Sequence, residues 1–206
     1  MENVSLSLSD MKIITAQMEK SVCKIYYENV SGTGFFCSIP LCGSQKVTVL
    51  ITASFNFDKK NSHLKFSVNN GKTNYCISMS GRKFYVDEFL KVTIIEIKPN
   101  DGISEDSFLA FDFNMNFEKG NPIYLISYEQ AKEVKVSTGK IFEIMESESE
   151  ITYDCNSSNG SAGGPLINPS NHLVIAMHKQ RDAKRNVKYG SLLKEHFEKF
   201  KQIYTS

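Results

Sequence analysis

The hydrophobic pattern changes period twice along the chain. Over residues 9–20, Met11, Ile14 and Met18 recur at helical spacing, and Ser9 or Asp10 stands where a side chain would cap the first free N–H groups. A short helix is predicted there. From residue 22 the period falls to two. Residues 22–27, 32–37 and 47–52 are short β-branched and aromatic runs, with a turn expected at 29–32. Residues 63–68 alternate, and Asn69-Asn70-Gly71 closes them with a hairpin signal before residues 74–79 return. Residues 90–97 are nearly continuous apolar sequence. The pattern is weakest over 98–118, which reads as a connection between two halves. A second strand series follows at 122–127, 133–143, 150–154, 165–167, 172–178 and 186–191. Residues 192–203 return to helical spacing, with Leu193, Phe197, Phe200 and Ile203 facing inward.

Many short strands with helices only at the two ends predict an all-β barrel or sandwich; periodicity does not choose between them. A length of 206 residues suits one domain or two closely packed lobes, and 41% hydrophobic residues excludes a disordered chain.

Charge narrows the partners. Lys and Arg total 24 against 23 Asp and Glu, so no global field favours nucleic acid or an anionic membrane. The basic cluster at 179–185 reads as a solvated hairpin loop. The N-terminus lacks the basic and apolar regions of a signal peptide, and no apolar run approaches the roughly 20 residues of a membrane helix. Cys23, Cys37, Cys42, Cys76 and Cys155 are odd in number and lack metal-ligand spacing. These features predict free thiols and a cytoplasmic protein. With no phosphate loop, dinucleotide fingerprint or metal cluster, neither cofactor nor metal is expected.

The densest cue is Gly160-Ser161-Ala162-Gly163-Gly164-Pro165, a glycine-rich turn running into an apolar strand, where backbone N–H groups converge on a small space. Read with Val49-Leu50-Ile51-Thr52-Ala53-Ser54-Phe55, it resembles the nucleophile and histidine loops of trypsin-like serine proteases. In that family the turn reads G-D-S-G-G-P or G-S-S-G-S-P, and the histidine strand L-T-A-A-H. Gly32-Thr33-Gly34-Phe35-Phe36 is similar to the segment opening the first barrel. Residues 89–97 are similar to the strand delivering the aspartate, and residues 173–178 to the strand lining the primary specificity pocket. The resemblance implies an all-β fold of two six-stranded antiparallel barrels in a single protease-type domain. Its parts would be an N-terminal helical segment at 1–20, a first barrel at 21–97, a connection at 98–118, a second barrel at 119–191 and a C-terminal helix at 192–206. It sits nearer the intracellular and viral-type members than the secreted ones.

A serine protease needs a hydroxyl nucleophile, an imidazole base and a carboxylate that orients it. The matching positions hold Ala162, Phe55 and Lys91. A methyl cannot attack, a phenyl ring cannot accept a proton, and an ammonium would repel an imidazolium. All three positions are expected to be inert. Ser54 and Ser161 lie beside them without an obvious base. Cys155 reads as a buried structural thiol, His63 lies on a different strand, Asp87 reads as a turn residue, and His196 is expected to be solvated. The resemblance also implies oxyanion-hole donors at the N–H groups of Gly160 and Ala162, and a pocket holding His178 with Asn156 near its floor. Viral-type relatives place the histidine of a G-[IM]-H strand there to read a glutamine side chain. Here Ala176 replaces the glycine and Lys179-Gln180 replace small residues, so a structural histidine and a ligand reader both stay open. Lys91 is expected to meet Phe55 across the old cleft in a cation–π or packing contact.

The sequence therefore reads as a non-catalytic protease homologue that binds a protein or peptide, with an active protease relative as one candidate partner and no nucleic-acid or membrane partner. Two alternatives remain: an active endopeptidase whose nucleophile was replaced by Ala162, and a hydrolase with a rearranged site.

Overall fold

The computed structural model describes residues 6–27, 30–54, 62–130, 132–182 and 187–206. Helix α1 (Leu8–Ala16) is capped by Ser7, two residues before the expected Ser9. The Ser7 hydroxyl accepts from the Asp10 N–H at 3.1 Å, and the Asp10 carboxylate accepts from the Ser7 N–H at 2.7 Å, a reciprocal pair that satisfies two free donors. Ile14 is buried, as its spacing predicts, but Met11 is 49% exposed and lies outside the inward stripe. The helix continues through one π turn, Gln17–Ser21, and passes directly into the first strand.

Strands β1 (Val22–Tyr27), β2 (Val30–Pro40), β3 (Lys46–Ala53), β4 (His63–Val68), β5 (Thr73–Ser78), β6 (Phe84–Asp87) and β7 (Val92–Glu96) form one sheet in the order β5-β4-β1-β2-β3-β7-β6. β8 (Leu109–Ala110), inside the predicted connection, adds parallel to β2. Gly32 pairs with Ile25 inside the β1–β2 ladder, so the turn expected at 29–32 gives way to strand from residue 30.

β6 escaped the sequence reading. The returning strand breaks after Ser78, and Arg82 spans the break. Its Nε donates to the Ser78 carbonyl at 2.9 Å, its Nη1 to the Glu96 carbonyl at 2.7 Å, and its two Nη groups grip Asp101 at 2.7 and 2.9 Å. A guanidinium thus joins β5 to the end of β7 where strand pairing would close a barrel. Among the described residues the first lobe is a half-barrel rather than the closed six-stranded barrel expected.

The second lobe closes. β9 (Pro122–Glu129), β10 (Glu133–Met145), β11 (Glu150–Tyr153), β12 (Pro165–Ile167), β13 (Val174–Asp182) and β14 (Val187–Leu192) form a six-stranded antiparallel barrel in the order β10-β11-β14-β13-β12-β9, sealed by β9 against β10.

Strand alternation distributes the core. On β9, Ile123 and Leu125 enter the barrel with Ile141, Ile151, Leu166 and Ile175. Tyr124, Ile126 and Tyr128 face the other way, into a seam shared with Phe35, Val49 and Ile51. Phe36 and Leu50, next in sequence to those seam residues, fill the half-barrel with Phe66 and Ile95. Helix α2 (Lys194–Thr205) lays Phe197 and Phe200 on the seam. His196, expected in solvent, is fully buried with them. It lies three residues after Leu193 and four before Phe200, hence on the same stripe. No helix among the described residues is long and apolar enough to cross a membrane.

Candidate functional site

The glycine-rich loop of the barrel meets the half-barrel at Thr33. The Thr33 N–H donates to the Ala162 carbonyl at 3.0 Å, and its hydroxyl donates to the Gly160 carbonyl at 2.7 Å while accepting the Tyr128 N–H at 2.9 Å. The Thr33 carbonyl accepts the Thr52 hydroxyl at 2.7 Å. Every hydrogen-bonding group of this buried residue is engaged, three of them across the seam.

Two glycines shape the loop. Gly160 and Gly163 both have φ of +95°, a conformation L side chains rarely adopt. Gly163 N–H donates to the His178 carbonyl at 2.9 Å, and His178 N–H to the Gly164 carbonyl at 2.8 Å, which pins the loop to β13. Ser161 is buried beneath the loop, its hydroxyl accepting from the Ser127 hydroxyl and the Ser158 N–H, both at 3.1 Å. Its oxygen is committed to the loop's own structure. Ala162 is half-buried and packs its methyl on the seam cluster.

Lys91 ends a turn over residues 87–91 and has φ of +59°. Its carbonyl accepts the Ser54 N–H at 2.9 Å. Asp87 closes the turn through the Leu90 N–H at 2.8 Å, and the Leu90 carbonyl accepts the Ser191 hydroxyl at 2.6 Å. Lys91 is thereby fixed beside the residue preceding position 55. Phe55 itself lies outside the described residues, and so does its expected contact with Lys91. A cation–π contact forms beside this turn between Lys179 and Phe89, with Lys179 Nζ 5.5 Å from the centre of the ring. Phe89 is 83% exposed, whereas Lys179 is buried and paired with Glu150 at 2.5 Å.

His178 is buried in the barrel wall, its Nδ1 hydrogen-bonded to the Tyr153 hydroxyl. Loss of water, reinforced by the Lys188 charge, pushes its pKa down to about 4; a backbone hydrogen bond to Tyr189 offsets this only in part. The ring is neutral at pH 7. Asn156 is exposed, and its carbonyl accepts the Ser137 hydroxyl at 2.8 Å. Tyr153 is the residue hydrogen-bonded to His178. The signal for it was available, since Tyr153 follows Ile151 at the inward period of β11. Cys155 is buried, and burial pushes its thiol up to about 12, so the thiolate is suppressed. Among the described residues no cluster of three His, Cys, Asp or Glu side chains is placed to hold a metal ion.

The neutral His178 predicts acid sensitivity. The unfolded chain takes up this proton near pH 6.5, whereas the native state resists until about pH 4. Stability is therefore full above pH 6.5 and falls as pH drops towards 4, by about 3 kcal/mol from this residue. Urea unfolding at pH 7 and pH 4.5 should show the loss, and His178→Gln should reduce it.

A family model described as a trypsin-like peptidase domain matches residues 32–177. Among solved structures, the inactive form of the Rv3671c protease superposes with a TM-score of 0.70 at 18% identity, covering 98% of this chain and 99% of that one. The active form of the same M. tuberculosis protease gives 0.70 at 16% identity, covering 97% and 88%. The serine endoprotease from Yersinia pestis gives 0.72 at 13% identity, covering 97% of this chain and 68% of that one. At these identities the likeness concerns the fold. No curated protein matches the sequence.

Proposed function

Because the chain belongs to the trypsin-like peptidase family, we propose that it keeps the family's scaffold and uses it to bind a protein or peptide without cutting it. The observation carrying this reading is the loop apex. The nucleophile position holds the methyl of Ala162, and the neighbouring Ser161 hydroxyl is buried under the loop in two hydrogen bonds. A lysine at position 91 and a phenylalanine at position 55 remove the acid and the base as well.

The ligand we propose is an extended segment that adds to β13 by main-chain pairing. Beyond His178, residues 180–182 pair with β14 alone among the described strands. The N–H groups of Gly160 and Ala162 and the His178–Asn156 wall would border its path. An active relative in the same family is one candidate source of such a segment. All five cysteines are unbridged, which suits a reducing, cytoplasmic setting.

The purified chain should neither label with a fluorophosphonate probe nor digest casein. Ala162→Ser should stay inert too, because in a serine protease loss of the base alone removes about 10⁶-fold in kcat. Turnover or labelling by the unmodified chain would make it an enzyme with a rearranged site. Turnover restored by Ala162→Ser would mean that a working base and orienter exist.

A further inference from the structure

His196 lies in the first turn of α2 with its side chain 1% exposed. Its Nδ1 is 3.2 Å from the Tyr85 hydroxyl, and that hydroxyl is 3.2 Å from Asp87 Oδ2. Burial works against the Asp87 charge, but the Leu90 N–H, the His196 ring and the Tyr85 hydroxyl together hold its carboxyl below the usual range. Asp87 is ionised and only accepts, so Tyr85 gives it the single hydroxyl proton and accepts from Nδ1–H. Nε2 is left as a bare lone pair, buried and without a hydrogen-bond partner among the described residues. The relay ends on the 87–91 turn, because the same Asp87 closes the turn that carries Phe89 and Lys91.

We propose that Asp87, Tyr85 and His196 form a proton-operated latch between α2 and the 87–91 turn. With Nε2 bare the relay is closed and the turn is held; a proton on Nε2 opens it. That proton would place a cation where water is excluded, at a helix N-terminus whose free N–H groups repel it. The charged groups facing the ring are Asp87, with Oδ2 3.8 Å from Nδ1, and Glu195, which favour the cation, and Lys199, which opposes it. Tyr85 is neutral, its hydroxyl pushed up to about 12 by burial. Burial outweighs the carboxylates, so the closed state accepts the proton only near pH 4, whereas an opened, hydrated ring accepts it near 6.5. Falling pH between those values draws the equilibrium towards the open state. The opening displaces Phe89, the exposed aromatic of the turn, and breaks its contact with Lys179.

The chain contains no tryptophan, so Phe89→Trp gives a single fluorescent reporter on the turn. In the full chain its emission should titrate between pH 6.5 and 4 while far-UV circular dichroism stays constant. The protection of the Phe197 amide, which donates to the Leu193 carbonyl in the first turn of α2, against hydrogen exchange relative to its intrinsic rate should fall about tenfold over the same range. His196→Gln should abolish both changes. Tyr85→Phe, which cuts the relay but keeps the imidazole, should abolish the emission change and leave the α2 change. A second buried histidine, His178, precedes the lysine that contacts Phe89, so His178→Gln should leave the emission change in place. A flat reporter in the parent chain, or a titration that survives His196→Gln, overturns the latch.

Discussion

Gly163→Ala is expected to destabilise the protein by about 4 kcal/mol or more, at the exceptional end of single substitutions. A Cβ at this position would stand 1.9 Å from the Thr33 carbonyl oxygen and 3.0 Å from the Ala53 nitrogen, and both are backbone atoms. No rotamer change relieves an overlap with main chain, so the loop must leave the half-barrel. That movement releases the Thr33 bonds to Ala162 and Gly160 and the Gly163 bond to His178. Gly81→Ala supplies the comparison. Its φ is +62° and a Cβ there meets nothing within 4 Å, so it should show backbone strain alone, about 1–2 kcal/mol. Urea midpoints of the two variants should therefore separate widely. Equal midpoints would mean that the loop does not approach Thr33 as described.

The second large effect concerns the guanidinium that spans the open side of the half-barrel. The Arg82 and Asp101 side chains are 4% and 7% exposed. Arg82→Met should cost about 3–5 kcal/mol, because it strands a buried carboxylate. It also strips the Ser78 and Glu96 carbonyls of their shared donor. Asp101→Leu should cost a similar amount by stranding the cation. The double variant should recover part of the loss, since no buried charge is left alone, but not all of it, since the two carbonyls remain bare. Full recovery would show that the ion pair acts alone. Strictly additive losses would show that the two side chains do not act as a unit.

What was legible in the sequence follows from which atoms make each feature. The glycine-rich loop was readable because its geometry depends on residues that lack a Cβ, and Gly160 and Gly163 both carry the positive φ that such a turn needs. β4 was readable because part of it alternates between buried and exposed positions, whereas β3, β7 and β9 bury both faces and were readable as apolar runs. The break between β5 and β6 was not readable. It depends on Arg82 reaching Asp101 nineteen residues on, and nothing local distinguishes that arginine from a solvated one. His196 was misread although its spacing placed it between Leu193 and Phe200, because residue type was allowed to outweigh position. The Lys179–Phe89 contact was not readable for a different reason: it depends on how β13 passes the 87–91 turn.

The stitching between the lobes has a bearing on how freely this surface could diverge. The Ala162, Gly160 and Leu90 carbonyls are main-chain atoms, and the Thr33 and Ser191 hydroxyls supply the side-chain anchors. None of these ties uses the side chain at position 91 or 162. New residue types at 162, and at 91 those that tolerate its φ of +59°, are tiles on a fixed frame that leave the joinery intact and only redraw the chemistry of the face.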